Sequence, residues 1–259
     1  MRRVWKTVVA CLALIALLLA GPFAVWWSGD IGRGHWSNAT RDSAGTAPTP
    51  EAHREAVVQI YGARAFSWRG AFAMHTWIAL KAPDASYYVT HEVQGWRQPA
   101  VRSRSGTPDR AWFGQPAVLL GELRGERAAA AIADIEKAVR NYPRTHHYRA
   151  WPGPNSNTFT AWVIRRVPAL EVALPALALG KDYLIDDERP AGRWFASAPS
   201  ATGYQVSLAG ALGVMLARDE GLEFNLLGLV FGVDPLDGAI KLPGIGRIGL
   251  GALYRSPEA

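Results

Sequence analysis

The sequence predicts an α+β fold in which helices pack on a small antiparallel sheet, preceded by one transmembrane helix. Three observations predict it: residues 8–27 carry no charge, residues 71–96 alternate in polarity around a turn, and residues 125–142 follow a helical pattern. The chain has 259 residues, which is enough for one domain with attachments. Because it contains a single Cys, a disulfide scaffold and a zinc site made of cysteines are both excluded.

Residues 1–27 are predicted to be an N-terminal transmembrane anchor. As a helix, the uncharged run of residues 8–27 would span roughly 30 Å, the thickness of the hydrocarbon core of a bilayer. Arg2, Arg3 and Lys6 precede this run, which predicts a cytoplasmic N-terminus. The chain is therefore predicted to cross the inner (cytoplasmic) membrane once, with its C-terminal domain periplasmic or otherwise extracytoplasmic. A cleaved signal peptide is the alternative, although no convincing small-x-small cleavage site follows the apolar core.

Residues 28–52 are rich in Gly, Ser, Thr, Ala and Pro and are predicted to be a flexible linker. Residues 53–259 then form the exported α+β domain. The N-terminal tip supplies half of the net charge of +6, and the remainder contains no basic run typical of phosphate-backbone binding. Nucleic acid is therefore not an expected partner. The expected partners are the membrane, through the N-terminal helix, and an unidentified envelope substrate or ligand.

Alternation of apolar and polar residues predicts four strands in the first half of the domain. They cover residues 56–61, 71–81, 87–96 and 100–103. Residues 83–86 are turn formers, so the third strand should return antiparallel to the second. On the second strand, His75 shares a face with Trp77.

Two helices are predicted in the middle of the chain. The first covers residues 119–142 and is clearest over residues 125–142, where Ile132, Ile135 and Val139 recur at helical spacing before Pro143. The second begins around Asn157 and ends before Pro168. In the Gly-rich last sixty residues, segments 206–216 and 222–233 are predicted as hairpin strands or short helices, between which periodicity does not decide.

The segment Trp151–Thr160 (WPGPNSNTFT) is the best candidate for a chemical site. Two prolines and a glycine form a rigid turn before an amphipathic stretch, which places Ser156 at or just before a helix N-terminus. Backbone N–H groups at Ser156 and Asn157 could there bind an oxyanion. Serine needs a base, and His75 on its strand is the candidate. The alternative is structural: Asn155 or Ser156 simply caps the helix, and His75 is an ordinary core histidine.

A third residue would orient the His75 ring. His91 and Glu92 project to opposite faces of the returning strand, so only one of them can meet His75 across the pair. We favour Glu92, because a carboxylate stabilises an imidazolium, and keep His91 as the alternative orienter. An exposed or salt-bridged strand glutamate is the structural alternative.

Residues 52–250 resemble the bacterial domain-of-unknown-function 3750 family, whose members carry an N-terminal membrane segment. The matching blocks are residues 75–79 (HTWIA), 92–96 (EVQGW), 151–159 (WPGPNSNTF), 180–183 (GKDY), 203–207 (GYQVS) and 241–247 (KLPGIGR). The resemblance implies no established activity.

A strand histidine followed by a helix and an Asn-Ser-Asn-x-Phe helix start is also similar, more distantly, to the permuted papain-like hydrolases. These include the lecithin:retinol acyltransferase group and the related deubiquitinase-like peptidases. The resemblance implies a permuted papain-like domain with His75 as base, Ser156 as nucleophile and Asn155 and Asn157 flanking it. The chain departs from that pattern at the nucleophile, which is a Cys in those families; a hydroxyl is much less ionised than a thiol near neutral pH.

Two functions therefore compete. The first is an acyl hydrolase or acyltransferase of the cell envelope with a Ser in place of the usual Cys. The second is a non-catalytic envelope binding or structural module on the same fold. No cofactor and no metal are expected: the G-x-G-x-x-G match at residues 244–249 lacks a following helix, and adjacent His146 and His147 point apart.

Overall fold

The computed structural model describes residues 2–32, 35–186 and 194–249. Over these ranges the chain is α+β, with two antiparallel sheets and three α-helices. The helices are α1 (Arg2–Ser28), α2 (Gly125–Arg140) and α3 (Ser156–Arg166), and Ser67–Ala71 forms a 3-10 turn. The last residues of the predicted exported domain, 250–259, lie outside the described residues.

The first sheet has five strands in the order β4-β3-β2-β1-β5. The strands are β1 (Val57–Arg64), β2 (Met74–Lys81), β3 (Val89–Val93), β4 (Val101–Ser105) and β5 (Val118–Arg124). The central pair β1 and β2 is buried along almost its whole length. On one face, Ile60 and Ile78 pack with Ile135 of α2 and Phe159 of α3. Because both helices lie on that face, α3 can bring its first turn against β2.

The other face of this sheet carries a second, aromatic core. Tyr61, Trp77 and Tyr88 pack there with Trp112, which comes from the loop between β4 and β5. Trp77 donates a hydrogen bond from its indole N–H to the Pro108 carbonyl at 2.7 Å, which fixes that loop on the sheet. His75 lies on the same face as Trp77 and therefore beside this aromatic cluster.

The first four strands and the two domain helices form where the sequence predicts them, but the segment before α2 is a strand and not helix. Residues 118–124 pair antiparallel with β1 as β5. A segment of seven residues is too short for its periodicity to distinguish helix from strand, and pairing satisfies the backbone groups on the second edge of β1. Gly125, with a φ of +58°, then turns the chain from the strand into the helix.

The last part of the described chain is a seven-stranded meander, in which each strand pairs with its neighbours in sequence. The strands are β6 (Phe195–Ser197), β7 (Gly203–Leu208), β8 (Leu212–Ala217), β9 (Gly221–Leu226), β10 (Leu229–Asp234), β11 (Ala239–Leu242) and β12 (Gly246–Ile248). The strand alternative is therefore the one adopted at residues 206–216 and 222–233. This sheet is larger than the sequence predicts.

The two faces of the meander differ sharply. We call its solvent-facing side the apolar face; it consists of Phe195, Tyr204, Val206, Leu208, Leu212, Val214, Leu216, Leu222, Phe224, Leu226, Leu229, Phe231, Val233, Ile240 and Ile248. The inward-facing side is buried yet polar. There Glu223 binds both Lys181 and Lys241, and Asn225 donates to Asp182 at 2.8 Å.

Residues 28–52, predicted as a linker, make specific contacts with the domain. Asp109 accepts hydrogen bonds from the Ser43 hydroxyl at 2.7 Å and from the Thr46 N–H at 2.8 Å. The Tyr88 hydroxyl donates to the Pro48 carbonyl at 2.9 Å. The segment is thus attached to the domain along much of its length.

The N-terminal helix also contacts the domain. Among the described residues, α1 is the one helix long and apolar enough to cross a membrane. Leu18, Pro22 and Val25 are buried on its inner side. A Cβ on Gly21 would clash with the carbonyl of Pro243, in the turn between β11 and β12. The C-terminal turns of α1 therefore pack directly on the end of the meander.

Candidate functional site

The N-terminus of α3 is fixed by a capping box. Asn155 has extended backbone geometry, and its side-chain oxygen accepts from the N–H groups of Asn157 at 2.9 Å and Thr158 at 3.1 Å. In return, the Thr158 hydroxyl accepts from the Asn155 N–H at 3.1 Å. Ser156 is consequently the first residue of the helix, at its positive end.

Asn157 joins this helix start to β2. Its amide nitrogen donates to the Met74 carbonyl at 2.9 Å and to the Leu179 carbonyl at 2.7 Å. Its amide oxygen accepts from the Thr76 hydroxyl at 2.9 Å. Because Met74 and Thr76 flank His75 on the strand, these bonds attach the start of α3 to this segment of β2, on the sheet face opposite to the one that carries the His75 ring.

His75 interacts with a buried carboxylate. Its Nε2 lies 3.0 Å from Oε2 of Glu92, which is fully buried on β3. The second oxygen of Glu92 accepts from Arg110 Nη2 at 2.6 Å and lies 3.5 Å from Arg104 Nη2. The His75 ring stacks on Trp112, with ring centroids 3.6 Å apart and planes 11° apart. The ring is thus held by a hydrogen bond and by an aromatic surface.

The electrostatics determine the protonation of this pair. Burial lowers the pKa of His75, although Glu92 partly opposes this effect. Burial would raise the pKa of Glu92, but the hydrogen bond and charge of His75, together with Arg110 and Arg104, lower that pKa to about 2. Glu92 is therefore ionised and can only accept hydrogen bonds, so Nε2 of His75 must be the donor. In the neutral ring, Nδ1 then carries the free lone pair that a general base requires.

Ser156 and His75 line the same cavity, which has a volume of about 1140 Å³. Ser156 is 5% exposed. Within the described residues, neither its hydroxyl nor its backbone N–H makes a hydrogen bond, and Ser156 and His75 are not hydrogen-bonded to each other. Of the two N–H groups expected to bind an oxyanion, that of Asn157 donates to the Asn155 side chain. The Ser156 N–H alone is available.

The structure brings Glu92, and not His91, to His75. His91 projects to the opposite face of β3, where its Nδ1 lies 2.7 Å from the Ser103 hydroxyl. Its Nε2 is buried and has no hydrogen-bond partner in the described structure. Strand alternation accounts for this separation.

The cavity lining also contains many aromatic residues and arginines. The aromatic residues are Trp36, Phe66, Trp68, Phe72, Trp96, Trp112, Phe113, Tyr148 and Trp151, and the arginines are Arg41, Arg69, Arg97, Arg102, Arg104 and Arg110. No described Asp or Glu is part of this lining. The cavity therefore combines apolar surface with positive charge.

Sequence reasoning does not identify Arg110 and Trp112, which complete the surroundings of His75. Arg110 is 6% exposed, lies over the rings of Trp77 and Trp112, and has one buried nitrogen, Nη1, without a hydrogen-bond partner in the described structure. Both residues belong to an irregular loop, where no periodic pattern indicates a direction. The one available signal is the combination of Arg and Trp in Asp109–Phe113 (DRAWF).

No group of three or more His, Cys, Asp or Glu side chains is placed to hold a metal ion in the described part of the chain. The fold and site thus define an α+β protein with an apolar N-terminal helix and a large cavity that contains a Ser and a His–Glu pair. Residues 55–183 match the model of a family described as a protein of unknown function, DUF3750, and the match supports the resemblance to that family. Searches of curated proteins and of solved structures found no match.

The matched region contains both sides of the candidate site, since it extends from β1 past α3 to Tyr183. The Gly180–Tyr183 block has a structural role in it. The Gly180 carbonyl accepts from the Thr158 hydroxyl at 2.8 Å, and Lys181 forms an ion pair with Glu223 of the meander. This block connects the start of α3 to the second sheet.

Proposed function

We propose that this chain is a membrane-anchored envelope protein whose extracytoplasmic domain acts as a Ser-dependent acyl hydrolase or acyltransferase. The observation that carries the proposal is that Ser156, at the N-terminus of α3, and His75, bound to Glu92, line one cavity. The permuted papain-like relationship, suggested by the order of the histidine and the helix start, belongs to this proposal. The proposal also includes the retention of α1 as an anchor in the inner membrane and the cytoplasmic position of its N-terminus.

In the proposed reaction, the Ser156 hydroxyl attacks the carbonyl carbon of an acyl substrate. As the Oγ–C bond forms, Nδ1 of His75 takes the hydroxyl proton, and the carbonyl electron pair moves to the oxygen. The Ser156 N–H and the positive end of α3 stabilise that oxyanion. When the tetrahedral intermediate collapses, the bond to the leaving group breaks and the Nδ1 proton passes to it. Water or an alcohol then attacks the acyl-enzyme with the same base.

Glu92 would act as a positioning residue. Its carboxylate accepts the Nε2–H of His75, keeps the Nδ1 lone pair directed away from it, and stabilises the imidazolium that forms. Arg110 neutralises part of the carboxylate charge at 2.6 Å. Catalysis requires the Ser156 hydroxyl to come within about 3.2 Å of Nδ1 in the substrate complex.

The cavity lining favours a substrate with an apolar body and an anionic group. Arginine guanidinium groups bind carboxylates and phosphates in a two-pronged geometry, and no described acidic side chain in the lining would repel such an anion. The aromatic rings supply apolar contact area. The class of substrate proposed is therefore an acylated envelope compound that carries a carboxylate or phosphate.

A fluorophosphonate probe tests the nucleophile. We expect it to label the detergent-solubilised full chain. Ser156→Ala should not be labelled, and His75→Ala should be labelled more slowly than the wild type. Ser86→Ala, in an exposed turn, is the matched control and should label like the wild type. Because only the neutral ring accepts a proton and burial lowers the pKa of His75, the labelling rate should rise with pH and reach half of its maximum below about pH 6.5. Equal labelling of Ser156→Ala and the wild type would eliminate Ser156 as the nucleophile.

The second candidate function is a non-catalytic binding module. It is favoured by one observation: Ser156 and His75 share the cavity without a hydrogen bond between them. In that case the wild type would not react with the probe, while Arg110→Met would still reduce binding of an anionic ligand. If tryptophan fluorescence shows that the chain is folded and the probe still does not label it, the result favours this function.

A further inference from the structure

The seven-stranded sheet has the reverse of the polarity expected in water. Antiparallel sheets with one solvated face place apolar side chains inside and polar ones outside. Here the buried face contains the ion-paired Glu223 and Lys241, each 5% exposed or less. The outward positions contain residues such as Leu208 and Leu216, which are 65% and 66% exposed. Such an inversion is characteristic of a surface whose surroundings are not water.

The apolar face is also large and free of charge. At about 4.8 Å between strands and about 3.4 Å per residue, it measures roughly 30 Å by 17 Å. Across β7 to β11, none of its described outward side chains is charged. Monomeric soluble proteins rarely expose a contiguous apolar patch of this kind, and larger ones mark sites of interaction.

The two ends of the sheet differ as well. The turns at one end are uncharged: residues 209–211, Leu227–Gly228 and residues 243–245. At the other end, segments 218–220 and 235–238 contain charged residues, whereas the turn 198–202 is uncharged. The sheet is therefore amphipathic along its strands as well as across its faces, which is the polarity of an element that enters an interface at an angle.

The uncharged end lies against the apolar N-terminal helix. Pro243 and Gly244 pack on Gly21 and Pro22 with no room for a Cβ at either glycine. Gly21 lies about 9 Å along the helix axis before Trp27, at 1.5 Å per residue. With α1 in the bilayer, this edge of the sheet is at the depth of the hydrocarbon, and the apolar surface of the helix continues onto the sheet.

We infer that the apolar face is immersed in the outer part of the same bilayer that α1 crosses, with lipid acyl chains as its occupant. This inference rests on the retention of α1 as an anchor, which is part of the proposed function, and is independent of the catalytic role of Ser156. The uncharged turns lie deepest and the charged turns lie at the aqueous surface. Leu229 belongs both to the apolar face and to the cavity lining, so the cavity wall is continuous with the lipid-facing surface.

Fluorescence quenching by spin-labelled lipids tests this arrangement in the full chain. In a Cys11→Ser background, single cysteines at Leu212, Leu216 and Arg218 carry an environment-sensitive dye, and the chain is reconstituted in phosphatidylglycerol and phosphatidylcholine nanodiscs with doxyl groups on the acyl chains. We expect strong quenching at Leu212, weaker quenching at Leu216 and none at Arg218. The native Cys11, which is exposed on α1, is labelled separately as a reporter of the anchor.

The dyes at Cys11 and Leu212 test the anchoring of α1 and the immersion of the sheet separately. Quenching at Cys11 with no quenching at Leu212 overturns the immersion of the sheet and leaves the anchor intact; no quenching at either position overturns both. Energy transfer between dyes at Leu212 on two copies in one nanodisc, without quenching, would mean that a second copy covers the face and also overturns the inference. Introducing Ser156→Ala should leave the quenching pattern unchanged, since the catalytic proposal can fail without affecting it.

Discussion

Replacement of Asn157 by Ala should destabilise the domain because this buried side chain joins α3 to β2. It makes three hydrogen bonds of 2.7 to 2.9 Å, to Met74, Leu179 and Thr76. At about 1 kcal/mol net for each bond, the expected loss in the free energy of unfolding is about 3 kcal/mol. The carbonyl of Leu179 and the hydroxyl of Thr76 keep other partners, Asn155 and Thr160, so the loss should not exceed this value greatly.

The loss corresponds to a decrease in Tm of roughly 6 to 12 °C for a domain of this size. Scanning fluorimetry of the full chain in mild detergent, with the native tryptophans as reporters, measures it. Asn157→Asp keeps the acceptor but places a carboxylate against two carbonyl oxygens, so it should lower the Tm further. Asn141→Ala, exposed after α2, is the control and should shift the Tm by little. A decrease at Asn157→Ala no larger than that of the control would refute the assigned role.

Two further predictions concern the buried charges. Glu223→Gln leaves Lys181 and Lys241 buried without their carboxylate and should lower the free energy of unfolding, measured in urea, by about 3 to 5 kcal/mol. The control Glu136→Gln, in an exposed pair with Arg140, should lower it by about 0.5 kcal/mol or less, and equal losses would contradict the buried network. The lowered pKa of Glu92 means that its charge stabilises the fold above pH 4.5, the ordinary value, and that this contribution is lost as pH falls towards 2. The difference in stability between the wild type and Glu92→Gln, measured by unfolding at several pH values, should therefore shrink across that range; a constant difference would mean that Glu92 is not ionised in the folded protein.

The sequence contains enough information for the elements whose cause is local. The start of α3 follows from the Pro-Gly-Pro turn and the capping side chain of Asn155, and both are visible in the sequence. Strand alternation predicts that only one of His91 and Glu92 can meet His75, and the chemistry of a carboxylate favours Glu92. These signals act over a few residues, so they can be recognised without knowledge of the rest of the fold.

The remaining features depend on distant partners. Residues 118–124 form a strand because β1 offers an edge, and the short segment itself fits either period. The meander is hard to predict because its alternation of polar and apolar residues is inverted. Glu223 and Lys241 face inward, where the sheet of a water-soluble protein places apolar residues. Arg110 and Trp112 reach the site from a loop whose path is set by contacts far along the chain.

The meander also has a consequence for folding. Each of its hairpins closes only a few residues, so little chain entropy is lost when one strand joins the next. In the first sheet, β5 must return to β1 across roughly 50 residues, a much slower search. The hairpins of the second sheet can thus form between strands that are close in sequence, whereas closing the first sheet requires a long chain segment to be ordered first.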